Sequence, residues 1–183
     1  LDLSQYEAGI HYLSTAILDY HVNDRVAERN GNRHLWAAPH GVYRCKGDER
    51  WCCIAIFREE EWKAFCNVMG DPGWTREDKF LTLLDRKENE DDLNERIESW
   101  TAGHTPEEIM DLLQGIGISA GVVKNAQDIY EDPQLIDRGF FKKMDHVEIG
   151  PVSHRSVGFK LSKTPCGPER PGPCPVSYTH LRA

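Results

Sequence analysis

The sequence predicts an α/β fold, because strand-like apolar runs alternate with segments of helical periodicity. The first helical segment follows a capping box formed by Ser4 and Glu7, and its apolar spacing predicts a helix that ends near Val22. Residues 1–3 form a strand-like run, so a strand would pass directly into a helix, as in half of a βαβ unit. A chain of 183 residues is long enough for one domain with a substantial core or for two small domains.

Two further strands are predicted at residues 42–45 and 50–57, on either side of a turn at residues 46–48. The second strand is apolar on both faces. The alternate residues that begin with Trp51 form one face, the alternate residues that begin with Cys52 form the other, and both sets are mainly apolar. We therefore expect this strand to be central in its sheet and to be covered on both sides. Residues 118–123 predict a third strand that returns to the sheet.

The remaining helices begin at recognisable residues. Thr105 and Pro106 form a strong start, because Thr caps a helix and Pro is favoured at its first position. Glu59 opens another helix, where negative charge suits the positive end of the dipole, although Arg58 is a poor capping residue. The expected buried stripe of this helix is Trp62, Phe65, Cys66 and Met69. The other predicted elements are helices at about residues 76–84, 90–101, 126–130 and 133–138, and strands near residues 140–146 and 152–156.

Composition argues against several classes of protein. The net charge of −8 argues against nucleic acid as a partner, which requires basic surface. No run of about 18 apolar residues is present, so we expect no membrane span. None of the six cysteines has the spacing of a zinc site, and we interpret most of them as buried thiols in the reducing environment of the cytoplasm. We therefore expect no metal.

The most unusual stretch is residues 29–43, RNGNRHLWAAPHGVY, between a predicted helix and a predicted strand. Basic residues outnumber acidic ones around it although the whole chain is acidic, and a positive loop of this kind suits a small anionic ligand. The candidate active-site residues in this loop are Gly31, Asn32, Arg33, His34 and His40. Two simpler explanations stay open. The histidines could only hydrogen-bond locally and fix the loop, and the charges could form an ordinary solvated pattern.

This loop and several other segments together resemble the class III CoA-transferases, the CaiB/BaiF family. The segments match that family in their order and spacing along the chain. They are residues 29–43, 51–62, 78–80, 118–123, 132–141 and 159–165.

The resemblance implies an interlocked homodimer in which each chain has a large Rossmann-like domain and a small α/β domain. It identifies this chain as a C-terminal fragment that lacks the N-terminal half. Residues 1–23 would be a strand–helix segment of the large CoA-binding domain, and residues 24–128 the small α/β domain. Residues 129–174 would return to the large domain, and residues 175–183 would be an unrelated tail from vector or adapter sequence.

The resemblance also implies the chemistry. Coenzyme A would enter as an acyl-CoA co-substrate, and a small carboxylic acid would accept it. The nucleophilic aspartate of the family lies upstream of the matching segments, so no catalytic residue is expected in this chain, and the CoA pocket stays unassigned.

The loop aligns with a glycine-rich loop that covers the active site in a formyl-CoA transferase of the family. This sequence has the bulkier residues 33–36 where that protein has glycines, which argues against oxalate or formate as substrates and leaves the acyl group open. Two alternatives for the function stay open. The whole protein could be an acyl-CoA racemase of the same family, or the chain could be a non-catalytic binding or interaction module.

Overall fold

A computed structural model describes residues 3–174 of the chain, and its fold is α/β, with small antiparallel sheets and packed helices. The chain forms two compact units, which meet in sequence between Val123 and Lys124.

The first unit begins with helix α1 (Gln5–Ile10), a 3₁₀ turn at His11–Leu13, and helix α2 (Ser14–Asn23). The predicted cap is confirmed, because the Ser4 hydroxyl accepts a hydrogen bond from the Glu7 amide at 3.3 Å. These helices contain no buried residue. Of the predicted strand at residues 1–3, Leu1 and Asp2 lie outside the described residues, and Leu3 is not in a strand.

The central sheet has three antiparallel strands in the order β1 (His40–Arg44), β2 (Trp51–Ala55), β3 (Ser119–Val122). The prediction that the second strand is central is therefore confirmed. The cross-strand partner of Ala55 is His40 on one side and Ser119 on the other, so the side chains of these three residues lie on one face.

The other face of the sheet carries the core. Tyr43, Cys52 and Ile54 are almost completely buried there. They pack against the apolar sides of helices α3 (Glu59–Val68), α5 (Glu90–Thr101) and α6 (Pro106–Gln114). The helix residues of this core are Trp62, Phe65, Cys66, Leu93, Ile97, Ile109 and Leu113, with Met69 partly buried beside them. Full burial of each large apolar side chain contributes about 1.5–3 kcal/mol to folding.

The expectation that both faces of β2 are covered is wrong for the described chain. We call the side opposite the core the open face of the sheet, which comprises His40, Val42, Cys53, Ala55 and Ser119. Cys53 and Ser119 are exposed, and His40, Val42 and Ala55 are half-buried. Three helices pack against the core face of the sheet, and within residues 3–174 no element covers the open face as fully.

Local hydrogen bonds explain the helix starts. Thr105 caps α6 as predicted, because its hydroxyl accepts from the Glu108 amide at 3.2 Å. Arg58 precedes α3 without a side-chain cap, and the carboxylate of Glu61 instead accepts from the amides of Phe57 and Arg58, at 2.9 and 3.1 Å. The region predicted as one helix at residues 76–84 is divided: a 3₁₀ turn at Gly73–Arg76 ends there, a second follows at Asp78–Phe80, and helix α4 (Leu83–Glu88) begins within it.

The second unit contains helices α7 (Ala126–Tyr130) and α8 (Pro133–Asp137) and a hairpin of strands β4 (Phe141–His146) and β5 (Gly150–Arg155). Asp132 is buried at the start of α8, where its side chain accepts from the Leu135 amide at 2.9 Å and pairs with Lys124. None of the helices in residues 3–174 is long and apolar enough to cross a membrane.

Candidate functional site

The loop before β1 is attached to α5 through Arg33. The Arg33 guanidinium forms an ion pair with the exposed carboxylate of Asp91, and its Nε lies 3.7 Å from Oε2 of the buried Glu90. These acids lie in the first turn of α5. Arg33, which the sequence indicated as a candidate for anion binding, is therefore paired with protein carboxylates. These ion pairs hold the loop against α5.

A second attachment comes from Arg86 of α4, whose side chain is 1% exposed. Its Nε donates to the carbonyl oxygen of Ala38 in the loop at 3.0 Å. Its two Nη atoms donate to both carboxylate oxygens of Glu59, at 3.2 and 2.8 Å, and its guanidinium lies over the Trp62 ring, 4.7 Å from the centroid. The guanidinium thus joins the loop to the N-terminus of α3 with the two-pronged geometry that favours Arg over Lys.

The two loop histidines lie side by side, with ring centroids 5.2 Å apart. Nδ1 of His34 accepts from the amide of Trp36 at 3.1 Å, and Nδ1 of His40 is hydrogen-bonded to the carbonyl oxygen of Asn32. Phe57 presents its ring to both imidazoles in edge-on contacts, at 5.3 and 6.0 Å. Both histidines therefore make local hydrogen bonds, as the simpler of the two explanations requires. One ring nitrogen of each imidazole stays outside these bonds.

A groove of about 650 Å³ lies over the open face of the sheet. That volume is within the range of small-molecule sites. Its walls are mainly apolar, with a few polar groups at Asn32, His40, Gln114 and Ser119. Gln114 also donates from its side chain to the carbonyl oxygen of Ala120 at 2.8 Å, which fixes one wall.

The structure brings only part of the predicted loop to this groove. Asn32 and His40 line it, and His34 adjoins it through its contact with His40. Gly31 adopts a positive φ of 59° at the turn and does not line the groove, and Arg33 points to α5.

The thiols near the site differ in their environment. Cys45, Cys52 and Cys66 are buried as expected, and burial raises their pKa values to about 11, 12 and 11. They are unreactive as thiolates at neutral pH. Cys53 and Cys166 are exposed, contrary to the buried-thiol interpretation, and Cys53 lines the groove.

Burial also raises the pKa of the Tyr43 hydroxyl, and the nearby carboxylates of Glu90 and Glu98 add to the effect. This hydroxyl donates to Oδ1 of Asn94 at 2.7 Å. Tyr43 is therefore a neutral structural group under the sheet. In the part of the chain that the structure describes, no three His, Cys, Asp or Glu side chains are grouped closely enough to hold a metal ion.

Sequence reasoning missed two features of the site. Arg86 was not identified, because an arginine among charged neighbours in a helical segment is typical of a solvated surface. The groove was not identified either, although the alternation from Trp51 to Phe57 defines which residues share a face. That alternation indicates that Cys53 and Ala55 share a face of the strand, but it does not indicate whether helices cover that face.

The fold and the groove define an α/β protein with one helix-covered sheet face and a ligand-sized groove beside a histidine-bearing loop. The chain belongs to the CoA-transferase family III, whose family model matches residues 1–175.

The relatives include "Probable CoA-transferase Rv1866" of Mycobacterium tuberculosis, which is 35% identical over 150 residues, covering 78% of this chain and 18% of the relative. The succinyl-CoA–D-citramalate CoA-transferase of Chloroflexus aurantiacus is 25% identical over 173 residues, covering 94% of this chain and 43% of the relative. A solved CaiB/BaiF family protein from Brucella suis has the same fold, with a TM-score of 0.71 at 21% identity over 85% of this chain and 39% of that protein. The chain thus spans less than half the length of these relatives.

Proposed function

We propose that this chain is part of a CoA-transferase that moves CoA from an acyl-CoA to a small carboxylic acid. The observation that supports this most is the family match over residues 1–175, together with relatives that are named as CoA-transferases. Because the chain spans less than half of those relatives, the activity is proposed for the whole protein. We place that protein in the cytoplasm as an interlocked homodimer.

The proposed reaction uses an aspartate that is not among these residues. Its carboxylate attacks the acyl-CoA carbonyl, which releases CoA thiolate and leaves a mixed anhydride. The thiolate attacks the aspartyl carbonyl, which gives an aspartyl-CoA thioester and releases the first carboxylic acid. The acceptor carboxylate attacks this thioester, which releases CoA thiolate again and forms a second mixed anhydride. The returning thiolate then attacks the acyl carbonyl, which forms the new acyl-CoA and regenerates the aspartate.

Residues of the loop form a wall of the proposed active site rather than its nucleophile. Both anhydride and thioester hydrolyse readily, so the site has to exclude water during turnover. The loop is held at both ends of its apolar segment. Arg33 pairs with α5 at one end, and Arg86 donates to the carbonyl oxygen of Ala38 at the other. His40 contributes an imidazole to the lining of the groove, and the imidazole of His34 lies beside it.

The test uses the complete protein and a panel of acyl-CoA donors with small carboxylic acids, and mass spectrometry of the CoA esters measures the products. Formation of a new acyl-CoA only when both substrates are present supports transfer, and the control omits the acceptor. Hydroxylamine added with the donor should convert one aspartate to a hydroxamate, because it attacks activated acyl groups. Exchange of the α-hydrogen of the acyl group with deuterium from solvent, without transfer, would instead identify a racemase. CoA binding without either reaction would indicate a binding module.

A further inference from the structure

The groove over the open face of the sheet is lined without carboxylate, ammonium or guanidinium groups. None of the described residues that line it is Lys, Arg, Asp or Glu, and its walls are mainly apolar. Two of its polar side chains already bond within the chain, because Gln114 donates to the carbonyl of Ala120 and His40 is hydrogen-bonded to that of Asn32. This lining suits a ligand that is apolar over most of its length.

The arginines that attach the loop already have carboxylate partners. Arg33 forms an ion pair with Asp91 and lies near Glu90. The buried Arg86 donates to both carboxylate oxygens of Glu59. A carboxylate on a ligand would have to displace these protein carboxylates before it gained either arginine as a partner. Without a cation, a carboxylate that enters the groove loses hydration and gains no ion pair, which is strongly unfavourable.

The loop carries two large apolar side chains beside the groove. His34 and Ala37 form an antiparallel bridge and so close a tight turn. The corner of this turn holds Leu35 and Trp36, which are 60% and 68% exposed. Such corners usually hold Gly, Asn, Asp or Pro, so the turn itself does not require apolar side chains there. The Trp36 amide donates to His34, whose imidazole contacts that of His40 in the groove lining, and the turn is therefore fixed next to the groove.

We propose that the groove and the adjoining turn of Leu35 and Trp36 bind the acyl group of the CoA thioester and select apolar acyl groups that carry no second carboxylate. Each methylene that enters the groove is removed from water, which should improve binding about two- to four-fold. A succinyl group would instead bring an unpaired carboxylate into the same space. This selection rests on the proposed CoA-transfer function for the thioester, but a binding measurement tests it without turnover.

Two donors that differ in one terminal group test the selection. Butyryl-CoA and succinyl-CoA have acyl groups of the same number of carbons, with a methyl group in one where the other has a carboxylate. The complete protein is assayed with one acceptor acid at pH 8, above the usual titration range of imidazole. We expect butyryl-CoA to have a kcat/KM about ten-fold higher and a Kd about ten-fold lower than succinyl-CoA.

The outcomes separate this selection from the proposed function. Transfer with equal values for the two donors, or with a preference for succinyl-CoA, would overturn the selection and leave the function standing. Absence of transfer from either donor, and from the wider panel, would refute the function. The ratio of the two Kd values would then decide the selection by itself.

Cys53→Arg tests whether the groove is the place of selection. Cys53 is exposed and lines the groove, so an arginine there adds a cation to the lining without replacing a core side chain. We expect the preference for butyryl-CoA over succinyl-CoA to fall about five-fold. Cys166→Arg adds the same charge at an exposed thiol in the other compact unit and should leave the preference unchanged. Equal changes in the two variants, or no change in either, would show that the acyl group binds elsewhere.

Trp36→Ala tests the turn, and its side chain is exposed, so the fold should tolerate the change. Straight-chain donors from acetyl-CoA to hexanoyl-CoA give the gain in kcat/KM for each added methylene. We expect Trp36→Ala to lower kcat/KM about three- to ten-fold for hexanoyl-CoA and to change it little for acetyl-CoA. An equal loss for all donors, or an unchanged series, would refute contact between the turn and the acyl group. An unchanged series with a lower sedimentation coefficient would identify the turn as a contact between copies of the chain instead.

Discussion

Replacing Arg86 with Met should destabilise the first unit much more than the same change at the exposed Arg58. Arg86→Met keeps an unbranched stem of similar length but removes the guanidinium, which is 1% exposed. The change leaves the Ala38 carbonyl without its donor and removes the two hydrogen bonds to Glu59. The contact with the Trp62 ring, at 4.7 Å, is lost as well.

The size of the effect follows from these partners. Breaking a buried ion pair by removing one member costs about 3–5 kcal/mol. The Glu59 side chain is 45% exposed, so water can solvate its carboxylate after the change, which places the expected loss near the lower limit. We expect about 3 kcal/mol of unfolding free energy, and about half of that for Arg86→Lys, which keeps the charge but not the two-pronged geometry.

Urea denaturation followed by far-UV circular dichroism measures this loss. With a denaturant slope of about 2 kcal/mol per molar, the midpoint should fall by about 1.5 M. The matched control is Arg58→Met, because Arg58 also pairs with a glutamate of α3, at 2.7 Å, but its side chain is 69% exposed. That control should cost less than about 1 kcal/mol. Equal losses for the two Arg→Met variants would refute the reasoning that burial of the guanidinium makes its contacts strong.

Three other predictions test the capping, the electrostatics and the loop. Thr105→Ala should cost about 1 kcal/mol of unfolding free energy in urea, because it removes the acceptor for the Glu108 amide, while Thr105→Ser should cost little. The Lys124 ammonium and the Leu135 amide lower the pKa of Asp132. The contribution of the Asp132 carboxylate to stability is therefore complete above about pH 4 and is lost as pH falls through the lower folded pKa. Asp132→Asn should consequently lose less unfolding free energy than wild type between pH 6 and pH 2. Parallel losses in the two proteins would contradict this. In the complete protein, Arg33→Ala or His34→Ala should raise hydrolysis of acyl-CoA relative to transfer, and unchanged product ratios in both variants would show that the loop does not exclude water.

The local structure of the chain followed closely from its sequence. The limits of α5 and α7 agree with the predicted residues 90–101 and 126–130, and Thr105 and Ser4 cap the helices where predicted. These features depend on hydrogen bonds between residues three or four apart, so the necessary information lies within one turn of helix. The predicted helix at residues 76–84 was wrong, because apolar spacing does not distinguish one α-helix from successive 3₁₀ turns packed against the same core.

The candidate site was predictable only in part. The sequence located the loop and its histidines, and His40 and Asn32 do line the groove. It could not show that Arg33 pairs with α5, because its partner Asp91 is 58 positions away in the chain. A cation near a turn has the same local pattern whether its partner is water, a ligand or a distant carboxylate.

By itself, the sequence determined the family, the limits of α5 and α7, and which residues of β2 share a face. Only the tertiary structure decided which of those faces the helices cover, since both are apolar and their covering depends on contacts with α3, α5 and α6. It also decided that Arg86 is buried, because the carbonyl that holds it lies 48 positions earlier in the chain. The groove and the attachment of the loop beside it are therefore consequences of long-range packing, which no local pattern of residues specifies.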